Sequence, residues 1–317
     1  MEMNQETVLK IQNTAADLSN LRALLVLRHG AVVCEYYDAE TTSETLLQGR
    51  SITKSVVSAL IGIAIDQGLI RSVDDKILDY FPEYTSSDGA RHKRDITIDH
   101  VLTMTSGFAW DNDVSWYDDD APAAEYHALD RPLRHLPGTV FNYDSAAADL
   151  LTVILTRVTH QSARTFASEH LFAPLGINRF DWERDPAGYD RGSAGLIMRP
   201  LDVAKFGQLY LQKGRWNGQQ LIPQDWVEQS TTTQVRTPNG AGYGRCWWVE
   251  NAGHSRQFSG IGFCAQYLTV MPHLELVVVA HHHIVLSENI ANQQEHEFTH
   301  RILKPIRVAV EKELAEG

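Results

Sequence analysis

Cysteine is scarce in this chain: Cys34, Cys246 and Cys264 are the three among 317 residues. An odd number at wide spacing is not a disulfide framework, although a single bridge stays compatible with it, and a reduced setting is expected. With no Cys-x-x-Cys pair there is no thiolate clamp for a metal, and the three side chains are expected to be small buried apolar groups. Long apolar runs are also missing: the longest, near residues 56–65 and 274–280, fall short of the roughly 20 residues of a membrane span. Positive charge is in deficit, with 28 Lys and Arg against 40 Asp and Glu and a formal charge of −12. No basic block exists to track a phosphate backbone, which excludes nucleic acid as an expected partner. Residues 1–21 lack the basic start and continuous apolar core of a secretory signal. A cytoplasmic location is therefore expected, or a periplasmic one for a chain whose leader was removed.

What is present is an ordinary globular composition, 43% hydrophobic and 21% charged, on a chain long enough for a large core. Residues 23–27 and 31–37 read as a hairpin turned at Arg28-His29-Gly30. After Ser51, the apolar positions Val56, Val57, Leu60, Ile61, Ala64 and Ile65 follow helical spacing, and Gly68 suits a C-terminal cap. Further helices are expected over 97–105, 146–158, 201–213 and, from Pro223, to Gln229. Residues 108–140 are rich in Asp, Trp, Tyr and Pro and read as a long loop region of the kind that carries binding surfaces. Strands are expected over 244–249, 264–271 and 274–280, and a final helical segment over 295–314, broken or kinked at Pro305. The order predicts an α+β fold: an antiparallel sheet built from both chain ends, residues 1–75 and 235–317, flanked by helices, with residues 76–234 as an inserted, mostly helical region.

The chemistry centres on Ser51-Ile52-Thr53-Lys54. On a helix, positions three apart share a face, so a lysine amine would stand beside a serine hydroxyl and take its proton. The spacing alone is weak evidence, since chance supplies about half such a match in this composition. Acyl transfer also needs a proton donor and backbone N–H groups for an oxyanion. Tyr143 and Ser145, in Tyr143-Asp144-Ser145, are candidates for proton relay and for a hydrogen bond to substrate or Lys54, or else a core aromatic and a helix N-cap. Gly260-Ile261-Gly262-Phe263 offers a backbone that a ligand can approach, or simply a bulge.

Together these residues resemble the serine β-lactamase and penicillin-binding protein superfamily, whose motif is Ser-x-x-Lys. The chain looks most like class C β-lactamase-like hydrolases, which include esterases, D-amino-acid peptidases and 6-aminohexanoate-dimer hydrolases. The similarity runs in order through Gly49-Arg50-Ser51-Ile52-Thr53-Lys54-Ser55, Ile98-Asp99-His100-Val101-Leu102, Phe141-Asn142-Tyr143-Asp144-Ser145, Gly195-Leu196-Ile197-Met198-Arg199-Pro200 and Gly242-Tyr243-Gly244-Arg245. The resemblance implies Ser51 as acylated nucleophile, Lys54 as general base and Tyr143 as proton shuttle, with the N–H groups of Ser51 and Phe263 as oxyanion hole and no cofactor. Two departures stand out. Ser145 replaces an amide that commonly holds a β-lactam side chain, and Gly260-Ile261-Gly262 stands where many members carry Lys-Thr-Gly or His-x-Gly. A register shifted by two would make Phe258-Ser259-Gly260 the motif. A grip for a β-lactam carboxylate is thus missing, which favours an ester or amide of a small molecule over a β-lactam or a D-amino-acid peptide. A catalytically silent ligand-binding protein of the same fold is the competing reading.

Of the remaining features, His281-His282-His283 alternates across a strand, cannot converge on one ion, and reads as a solvated strand end. Asp118-Asp119-Asp120 reads as an exposed acidic turn. Among Trp110, Trp116, Tyr117, Trp247 and Trp248, one or two are expected to wall the cleft, with Trp116 and Tyr117 preferred.

Overall fold

The computed structural model describes residues 3–84, 91–111, 128–252 and 255–316; Trp116, Tyr117 and Asp118-Asp119-Asp120 lie outside them. Its strands are β1 Leu21–Arg28, β2 Ala31–Tyr37, β3 Leu47–Gln48, β4 Phe180–Trp182, β5 Leu196–Met198, β6 Arg215–Trp216, β7 Gln219–Gln220, β8 Val235–Arg236, β9 Gly242–Tyr243, β10 Trp248–Ala252, β11 Ser255–Gly262, β12 Gln266–Met271 and β13 Leu276–His282. Strands from both chain ends form one eight-stranded sheet in the order β2-β1-β13-β12-β11-β10-β9-β8. The pairings are antiparallel throughout. The expected α+β fold is therefore what the chain adopts. His29 and Gly30, at φ 52° and 79°, make the two-residue turn between β1 and β2, whose mirror-image twist matches paired strands.

The centre of the sheet, strands β1, β12 and β13, is buried on both faces, which explains why β1 and β13 read as apolar runs rather than alternating ones. Leu24, Val26, Val278 and Ala280 join one core with α1 (Gln5–Ala16) and the C-terminal residues Phe298, Ile302, Ile306 and Val310. Leu25, Leu27, Val277 and Val279 face a second core. That core also takes buried residues of α2 (Ile52–Asp66), α3 (Ile98–Leu102), α4 (Ser145–Thr159), α5 (Pro200–Leu211) and α6 (Gln224–Ser230). Ser51 sits at the head of α2, between this helical layer and the sheet.

Four local expectations are corrected. The eight-residue strand β11 was not anticipated, because Ser255-Arg256-Gln257-Phe258-Ser259-Gly260-Ile261-Gly262 has little β-propensity of its own; its ladder partners β10 and β12 hold it. The turn that follows is Phe263-Cys264-Ala265, with Cys264 at φ 61° and Ala265 at φ 56°, where a strand start had been expected. The last helical stretch begins earlier, as α7 (Glu288–Phe298), and passes through a π turn, Thr299–Leu303, into α8 (Lys304–Glu316). Pro305 lies in the first turn of α8 just after that π turn, an irregularity that accommodates a residue lacking an N–H. Finally, His281 and His282 are not solvated: they are 0% and 4% exposed, because β13 runs through them into the interior.

Candidate active site

The site starts from a strand-to-helix turn. Leu47 of β3 pairs with Met198 of β5, and Gly49 N–H donates to Leu196 O at 3.2 Å. Arg50 then takes the left-handed conformation, φ 48°, and delivers Ser51 directly onto the first turn of α2. Three hydroxyls fasten this helix in place. Thr53 Oγ1 accepts from Leu196 N–H (3.1 Å), Ser55 Oγ donates to Cys246 O (2.7 Å), and Ser58 Oγ donates to Arg245 O (2.8 Å). The helical face that carries Lys54 is thereby locked against both the β5 strand and the 244–247 loop.

Lys54 is 1% exposed, and its amine reaches three oxygens: Ser51 Oγ at 2.9 Å, Ser145 Oγ at 3.2 Å and the Ser193 carbonyl at 2.8 Å. Tyr143 lies beside it, with the Lys54 nitrogen 4.9 Å from the ring centroid and the phenol on the Ser51 side. Its ring stacks on Trp248 at 5.8 Å and meets Tyr243 edge-on at 6.3 Å. Desolvation in this aromatic cluster pushes the Tyr143 phenol above the usual tyrosine range, opposed only in part by the Ser51 hydroxyl, and so favours the neutral form.

Asp144, not Ser145, caps α4: its carboxylate accepts from Ala147 N–H at 2.9 Å and from Arg131 at 3.0 and 3.2 Å. Burial raises the Asp144 carboxyl, and the Arg131 charge lowers it. Relieved of capping, Ser145 turns its hydroxyl to Lys54.

The fourth side of the site is β11. Its pairing with β10 stops at Ser259↔Trp248, whereas its pairing with β12 continues to Gly262↔Gln266, so Gly260–Gly262 runs on beside the head of α2 with its β10 edge unpaired. A Cβ on Gly262 would lie 2.4 Å from Gly49 O, and one on Gly260 would lie 3.0 Å from Ser55 Oγ. Glycine is what lets strand and helix approach this closely. The Ile261 side chain turns to the opposite face of the sheet, into a cleft with Tyr267 and Leu303, so only its backbone borders the Ser51 side. Phe263 follows as the first residue of a turn pinned by Gln266, whose amide donates to Cys264 O at 2.8 Å and His282 O at 3.1 Å.

Of the aromatics, Trp110 and Trp247 pack in the core and Trp248 stands at the site. Two residues escaped the sequence reading: Ser193, whose carbonyl accepts from Lys54, and Asp149, a buried acid on α4 that accepts from Ser193 N–H at 2.6 Å. An acidic residue inside the apolar run of α4 was the available signal for the second. All three cysteines are free and buried. Among the described residues no group of three His, Cys, Asp or Glu side chains is placed to hold a metal ion, and no helix is long and apolar enough to cross a membrane.

A sheet drawn from both chain ends, with a buried lysine bonded to a serine at the head of a central helix and a tyrosine against both, defines the β-lactamase and penicillin-binding-protein-like class. The beta-lactamase family profile matches residues 22–294, and the chain belongs to that family of hydrolases. The 6-aminohexanoate-dimer hydrolase of Paenarthrobacter ureafaciens is 29% identical over 296 residues, covering 85% of this chain and 73% of its own. A solved structure assigned provisionally as a 6-aminohexanoate-dimer hydrolase of Bacillus anthracis shares the fold at TM-score 0.77 and 20% identity, over 94% of this chain and 81% of that one. A family VIII carboxylesterase shares it at TM-score 0.69 and 15% identity, over 95% and 99%.

Proposed function

We propose that the chain is a serine hydrolase that cleaves an ester or amide of a small molecule through an acyl-enzyme. The observation that carries this reading is the buried Lys54 amine 2.9 Å from Ser51 Oγ, with the Tyr143 ring 4.9 Å from the same amine. Ser51 Oγ attacks the acyl carbonyl while its proton passes to neutral Lys54. The N–H groups of Ser51 and Phe263 take the oxyanion, at a helix N-terminus that favours negative charge. Tyr143 protonates the departing alkoxide or amine and recovers a proton from Lys54. Water then attacks the ester of Ser51 by the same route in reverse, with no metal or cofactor required.

Phe141, Tyr143, Tyr243 and Trp248 form one aromatic cluster beside the serine, a wall suited to an apolar, uncharged acyl or leaving group. Gly260-Ile261-Gly262 brings no cationic side chain to grip a carboxylate, which favours esters and linear amides over β-lactams. The linear amide in the name of the Paenarthrobacter relative belongs to the first panel to try. The test is intact-protein mass spectrometry after brief exposure to p-nitrophenyl esters, linear amides and nitrocefin. An acyl mass on the parent that is lost in Ser51→Ala is the expected result. No adduct and no turnover across the panel would favour the silent binding protein, and an adduct with nitrocefin alone would favour a β-lactamase.

A further inference from the structure

We infer that Asp149 is a positioning residue for the Ser51–Lys54 pair, acting through the peptide of Ser193; the inference rests on the reading of Lys54 as base. Asp149 follows Ser145 by one turn of α4, so both side chains look toward Lys54. The Asp149 carboxyl is 1% exposed and accepts from Ser193 N–H at 2.6 Å, while the carbonyl of Ser193 accepts from the Lys54 amine at 2.8 Å. The backbone of one residue thus stands between the acid and the lysine, its N–H held by Asp149 and its carbonyl holding Lys54. The segment has no room to drift: a Cβ on Gly192 would lie 2.9 Å from Ala148 O and 3.0 Å from Thr152 Cγ2, so residue 192 is pressed onto α4.

The geometry matters because of what a neutral amine offers. It has two N–H donors and one lone pair. In the neutral amine, donors given to Ser193 O and Ser145 Oγ would leave the lone pair for the Ser51 hydroxyl, 2.9 Å away, where a base must present it. If the Ser193 carbonyl swings away, an N–H turns toward Ser51 and the pair is misaligned. A buried carboxyl is also expensive to retain in an apolar helix, and fixing a single backbone N–H beside the lysine is a use that offsets that cost.

Two variants separate this role from simple packing. Asp149→Asn keeps an oxygen acceptor for Ser193 N–H in the same shape, and Asp149→Leu fills the space without one. With folding checked by circular dichroism and melting, Asp149→Leu is expected to lose about 100-fold in kcat on an ester while KM changes little. Asp149→Asn should recover most of that loss. Single-turnover acylation followed by intact mass, read per folded molecule, keeps the comparison valid where one variant is less stable. Parent-like acylation in Asp149→Leu, or a loss in Asp149→Asn as deep as in Asp149→Leu, overturns the inference. Ser51→Ala runs in parallel: full turnover there would sink the serine mechanism itself, which is a different failure.

Discussion

Tyr143 shows how a residue takes its role from its neighbours. By its own residues Tyr143-Asp144-Ser145 reads better as a core aromatic and a helix N-cap, and only the family resemblance favours a proton shuttle. Packed against Trp248 and Tyr243 beside Ser51, Tyr143 is held neutral, with its pKa above the usual tyrosine range because desolvation outweighs the pull of the Ser51 hydroxyl. A neutral phenol can give a proton to a leaving group. Tyr143→Phe is therefore expected to lower kcat on a poor-leaving-group ester by about 10²- to 10⁴-fold with KM little changed. An effect confined to KM would contradict the proton-donor role. Ser51 and Lys54 were legible because helical spacing places them together whatever the rest of the chain does. Ser193 was not, since a backbone carbonyl leaves no mark in a sequence.

Among the elements, β11 decides the width of the site. Its residues gave too weak a strand signal to be recognised, and a segment with two glycines and four polar residues becomes a strand only when β10 and β12 supply its hydrogen bonds. The same two glycines then serve the approach to α2. Gly262→Ala would set a methyl 2.4 Å from the Gly49 carbonyl, a backbone atom that cannot move without shifting the turn into Ser51. It is expected to cost about 1–3 kcal/mol of stability and to reduce kcat/KM markedly. Gly260→Ala, whose methyl would meet the Ser55 hydroxyl at 3.0 Å, should be milder on both counts. Melting curves and ester kinetics on the pair check this order, and equal behaviour would refute it. The α2 helix, by contrast, announced itself, since its apolar positions recur at helical spacing over four turns.

At the scale of the whole molecule, the centre of the sheet, buried on both faces, carries a pH dependence. Burial pushes His281 down to about 3 and His282 to about 4, from an ordinary value of 6.5. Below 6.5 the unfolded chain therefore takes up protons that the folded chain refuses, so this stability is complete above 6.5 and is lost as the pH falls toward 4. Urea-unfolding free energies at pH 7 and pH 5 should fall further in the parent than in His282→Gln, by about 2 kcal/mol. Equal falls would show that His282 titrates normally. The error over these histidines has the same origin as the successes elsewhere. Alternation sets adjacent imidazoles on opposite faces of the strand, but it does not show that a helical layer covers each face.

By itself the sequence determined the kinds of element, the sheet shared between chain ends, and the serine and lysine on one helical turn, because these follow from periodicity and local spacing. Tertiary structure alone decided what surrounds that pair. The bonds from Lys54 to Ser145 and Ser193, and from Ser55 to Cys246, join residues 91, 139 and 191 positions apart. Contacts at such separations exist only once the sheet and helices have packed, and no local pattern in the chain encodes them.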